Sequence, residues 1–150
     1  MTAFVTAGVG FLLAVLWFDL MFDVQVLRHR TGDVPEAVLA SIAGYYRRVT
    51  TAARPMNRLI AAVMLATVTA TVVQLARGDA PRWAASVSLV LAASAIALAA
   101  VHTVPSAVRL GTRSDGVDGQ GRLARSILRD HLICVVTLAA VLCIQLGFAR

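Results

Sequence analysis

The chain has 150 residues, room for one domain, of which 59% are hydrophobic and only 15% charged, with a formal charge of +6 and a mean hydropathy of +0.78. A soluble domain of this length exposes far more charge, so the composition excludes the soluble classes and predicts an integral membrane protein. All fourteen basic residues are Arg, and because they fall between apolar stretches the charge reads as membrane topology and lipid contact, with no nucleic-acid partner.

Four stretches reach the roughly 20 residues that a helix needs to cross a hydrocarbon core of about 30 Å. They cover approximately residues 4–26, 59–76, 83–104 and 132–148, and they predict an all-α, antiparallel four-helix bundle as a single transmembrane domain over 1–150. The first stretch lacks the basic start and small-residue cleavage pattern of a secretory signal, so it is read as retained. Within it, Asp19 and Asp23 stand one helical turn apart in the otherwise apolar run LWFDLMFDVQV.

Between the first two spans, TGDVPEAVLASIAGYYRRVTTAARP predicts a turn and an interfacial helix over about 36–50, with Asp33 as N-cap, Tyr45 and Tyr46 at headgroup level, and Pro55 breaking the chain before span two. ARGDAPRW makes a tight outer turn. Span three is rich in Ala and Ser, and lipid supplies no hydrophobic drive between helices, so these small residues carry close packing or offer a docking face. GTRSDGVDGQG reads as a flexible loop. Cys134 and Cys143, nine positions apart on the last helix, lie on opposite sides of it and do not bridge.

Arg28, Arg30, Arg47, Arg48, Arg54 and Arg58 follow span one, and Arg109, Arg113, Arg122, Arg125 and Arg129 follow span three. The opposite side has Arg77, Arg82 and Arg150. The positive-inside rule then predicts a multi-pass protein of a bacterial-type cytoplasmic (inner) membrane with both termini extracytoplasmic.

Counted inward from the outer ends, Asp19, Asp23, Asn57, His102 and His131 fall at one depth near the Arg-rich boundary. Ionisable groups at that depth are costly unless paired or wetted, so they are expected to face the bundle interior. Two readings stand: Asp19 and Asp23 pair with Arg54, Arg58 or Arg129 and pin the helix ends, or the carboxylates and histidines form a site for protons or a ligand. No helix carries the His and acid spacing of a metal site, and no metal is predicted.

YYRRVTTAARPMNRLI, VHTVPSAVRLG and RLARSILRDHLICVVTLAA resemble the pattern of small four-span membrane proteins named after anthrone oxygenase. The resemblance implies oxidation of a phenolic carbon acid by dioxygen with no cofactor, on a small hydrophobic aromatic substrate. His131 or His102 is then the base, Asp19 or Asp23 orients it, and Arg54, Asn57 or Arg109 holds the substrate oxygen. The alternatives are a non-catalytic subunit of a membrane complex or homo-oligomer, and a small proton-coupled transporter.

Overall fold

The computed structural model describes residues 1–29, 31–52 and 54–147, the side chain of Arg54 excepted, and the described residues contain no strand. Helix α1 (Thr2–Asp23) runs into a 3-10 turn (Val24–His29); α2 (Glu36–Arg47) ends in a π turn (Arg48–Ala52) before α3 (Arg54–Arg77). A short turn leads to α4 (Arg82–Leu98), which passes through a second π turn (Ala99–Thr103) into α5 (Val104–Thr112), and α6 (Val117–Gly147) closes the chain. Among the described residues four helices are long and apolar enough to cross a membrane: Thr2–His29, Pro55–Arg77, Arg82–Thr112 and Val117–Gly147. The protein is an all-α membrane bundle.

The four pack as a ring, α1 on α3 and α6, and α4 on α3 and α6. Close approach explains the small residues. A Cβ on Gly8 would overlap the Thr67 hydroxyl across the α1–α3 contact, and one on Gly111 would lie 2.8 Å from the Arg47 backbone nitrogen where α5 meets α2. Ala84, Ala85, Ser88, Ala92 and Ala95 are buried inside the bundle, so one side of the third span's Ala/Ser run is covered by its own neighbours, while Ser86, Ser94 and Ala97 stay exposed.

Two cores stack end to end. One, in the membrane, joins Val5, Val9, Leu12 and Leu16 to Ala92, Ala95, Leu138 and Val141; the other, at the Arg-rich end, packs Leu39, Ile42 and Tyr46 of α2 against Leu110 of α5 and Ile127 of α6. Arg125 ties the first connection to α6, donating to the carbonyls of His29 at 3.1 and 3.0 Å and of Gly32.

Both π turns lie just ahead of a proline, Pro55 and Pro105. A proline has no N–H for the carbonyl one turn back, so the helix widens there instead of continuing regularly. Pro55 therefore sits in the first turn of α3, where its missing N–H is tolerated. Two local expectations are revised. Pro35, not Asp33, is the N-cap of α2, and no side chain caps that helix. The Gly-rich stretch expected to be a flexible loop is helical from Val117, because Gly121 is buried against Val34 and packing overrides glycine's weak helix propensity.

Candidate functional site

Asp23 ends α1 and is buried, and it gathers a cluster from three helices. Its Oδ2 lies 2.6 Å from Nδ1 of His131 on α6, and its Oδ1 accepts the Tyr46 hydroxyl of α2 at 2.6 Å. One turn earlier, Asp19 Oδ1 accepts the Tyr45 hydroxyl at 2.7 Å. Tyr45 stacks on Phe22, with ring centroids 4.1 Å apart, and meets Tyr46 edge-on. The tyrosine pair is therefore a two-pronged clasp that fastens α2 across the end of the bundle, each prong on one of the two acids. Burial, then the charge of Asp19, raises the Tyr45 phenol above its usual 10.0, and burial, then Asp23, does the same for Tyr46. Both stay neutral donors.

His131 has two unlike nitrogens. Nδ1 faces a carboxylate that already accepts from Tyr46, so it carries a proton and donates to Asp23. Nε2 lies 3.9 Å from Asp19 Oδ2, too far for a hydrogen bond. Among the described residues neither atom has another hydrogen-bond partner, yet the only buried side-chain polar atom without a partner there is Gln120 Oε1. Nε2 and Oδ2 are thus not sealed in. Both residues line a cavity of about 450 Å³ whose walls are mainly apolar, including Leu16, Ile60, Met64 and Leu138. It opens on the flank of the bundle, where the lining residues Ala14, Phe18, Met56 and Asn57 are exposed.

The other expected residues are placed as follows. His102, carried by the second π turn, pairs through Nδ1 with buried Asp130 at 2.5 Å, and Thr103 and Arg129 also reach that carboxylate, at 3.2 and 3.4 Å. It does not line the cavity. Asn57 borders the cavity and donates to the Thr50 carbonyl at 3.3 Å, while Arg109 pairs with Asp115 in an exposed turn away from it. The side chain of Arg54 lies outside the described residues. No group of three or more His, Cys, Asp or Glu among the described residues is placed to hold a metal ion. Tyr45, Tyr46 and Asp130 were missed as partners. The signal was available, since two adjacent phenols and an acid next to His131 are polar groups at the same depth.

A second polar cluster occupies the other end. Gln74 and Gln145 exchange amide hydrogen bonds at 2.9 and 3.1 Å, Gln74 also donates to Thr2 Oγ1 at 3.0 Å, and Gln145 to Ser88 Oγ at 3.0 Å. One residue from each spanning helix takes part, and both glutamines are buried.

Residues 1–149, nearly the whole chain, match the family model of the SHR3 chaperone, described as an ER membrane protein. The chain belongs to the SHR3 chaperone family. No curated protein and no solved structure matches it. Membership overturns the resemblance to anthrone oxygenase, and with it the oxidoreductase reading. The stretches that carried the resemblance hold the tyrosine clasp, the second π turn and the start of α6, residues that fasten a four-span bundle together whatever its chemistry. It also overturns the bacterial-type inner membrane, since the SHR3 family is one of the endoplasmic reticulum. Arginine asymmetry orders loops across a bilayer but carries no information on which bilayer it is.

Proposed function

We propose that this protein is a membrane-embedded chaperone of the endoplasmic reticulum, a non-catalytic partner that holds other membrane proteins while their helices assemble. The observation that carries the reading is the flank cavity: an apolar recess open to the side, with Asp19 and His131 at its wall and an Asp19 Oδ2 to which no described residue donates. An unassembled membrane protein exposes polar side chains to lipid until its own helices pack, and each exposed group is costly. A neighbour offering apolar contact together with an open polar partner lowers that cost and releases the client once its internal partners arrive. A soluble chaperone surface cannot do this at membrane depth.

The test is translation of a polytopic membrane protein into microsomes depleted of this chain, with and without the purified protein restored. The reading expects less aggregated client at equal translation when the protein is present. Equal aggregation under both conditions contradicts it.

A further inference from the structure

Resting on the chaperone reading, we infer that the cavity selects client transmembrane segments carrying a Lys or Arg, whose cationic head is held by the Asp19 carboxylate. The charge balance points there first. Asp19 and Asp23 bring two carboxylates into one cluster, and among the described side chains the one basic group in contact with them is His131. Tyr45 and Tyr46 donate hydrogen bonds but no charge. Arg129, the nearest cation in sequence to His131, is directed to Asp130 and is largely exposed. Over the described side chains the cluster is short of positive charge in surroundings that stay apolar, since Trp17, Phe18 and Met21 of the same turns are exposed on the bundle's flank.

The geometry points the same way. Asp19 lines the cavity, and its Oδ2 is 3.9 Å from His131 Nε2, too far to be bonded by it, so the carboxylate has lone pairs for an ammonium or a guanidinium N–H at about 2.8 Å. An anion is repelled by the same carboxylate. The cavity's size fixes how the client sits. A helix of about 10 to 12 Å diameter does not enter a recess of about 450 Å³, but one long side chain does. The client helix therefore lies along the flank, and its Lys or Arg stem runs over Leu16, Ile60 and Met64 to reach the polar end.

The full chain, reconstituted in phosphatidylcholine vesicles, is titrated with labelled Leu/Ala spanning peptides of about 20 residues that differ at one position, Lys, Arg or Leu, near one end. The expected result is that the Lys and Arg peptides bind about tenfold tighter than the Leu peptide, and that Asp19→Asn removes the preference while Leu-peptide binding and thermal midpoint stay unchanged. The asparagine still accepts the Tyr45 hydroxyl, so the clasp survives. Equal binding of the three peptides overturns the inference, as does a preference that persists in Asp19→Asn. Saturation of the cavity by a long-chain amine with no peptide preference overturns it in favour of a small amphiphile. A Lys preference without protection in the microsome assay supports the cation site and removes the chaperone reading. Protection without a Lys preference does the reverse.

Discussion

The two ends of this bundle solve the same problem differently. At one end Gln74, Gln145, Thr2 and Ser88 close on one another, neutral side chains whose amides are exchanged pairwise and which draw one residue from every spanning helix. At the Arg-rich end the acids Asp19 and Asp23, His131 and the neutral donors Tyr45 and Tyr46 draw on α1, α2 and α6 and leave Asp19 Oδ2 open to a cavity. Buried polar groups in a membrane are normally satisfied internally, as the glutamine end is. A cluster that is satisfied on one side and open on the other is built to hold the bundle and to meet something else.

The comparison breaks first at Asp23. Asp23→Leu leaves the Tyr46 hydroxyl and His131 Nδ1 buried without an acceptor, and breaking such a pair costs about 3–5 kcal/mol. The purified protein in detergent is expected to lose its sharp thermal transition. A change below about 1 kcal/mol shows that the clasp does not close this end. Next comes Gly8→Ala, which forces a methyl into Thr67 where that hydroxyl is already bonded to the Val63 carbonyl at 2.7 Å. The cost is about 1–3 kcal/mol, read from the same thermal melt. At the glutamine end a double-mutant cycle of Gln74→Leu and Gln145→Leu is expected to give a coupling of about 0.6 to 1.7 kcal/mol, with the double variant less damaged than the sum of the singles. Zero coupling makes the amide pair incidental.

The smallest effect lies in pH. Unfolded tyrosines ionise near 10.0, whereas burial and the adjacent acids keep Tyr45 and Tyr46 protonated above that in the fold. Their contribution to stability is therefore complete below pH 10 and is lost as the pH rises beyond it. Chemical denaturation of wild type against Tyr45→Phe/Tyr46→Phe checks this, because the variant's stability should fall less between pH 9 and 11 than the wild type's.

The fold was legible because membrane helices announce themselves by length and hydropathy, and Asp19, Asp23 and His131 were legible as a group because charge at that depth has few places to go. Their partners were harder to read. Tyr45 and Tyr46 fitted a headgroup position equally well, and only the packing of α2 against α5 turns them inward. His102 and Asp130 find each other across a π turn set by Pro105, a local widening that a count of 3.6 residues per turn does not anticipate. Gln74 passed unnoticed because a single amide near a helix end carries no charge and no periodicity. The family, finally, lay beyond what spacing can show: the residues that fasten four helices are common to bundles with unrelated tasks.

The central claim is that the closed end holds the structure and the open end does the work. Its most direct test compares Asp19→Asn with the Gln74→Leu/Gln145→Leu double variant in the microsome aggregation assay, at matched amounts of folded protein. The account predicts that Asp19→Asn keeps its thermal midpoint and loses most client protection, while the double variant melts earlier and protects clients in proportion to the protein that remains folded. Full protection by Asp19→Asn, together with loss of protection by a folded double variant, contradicts it.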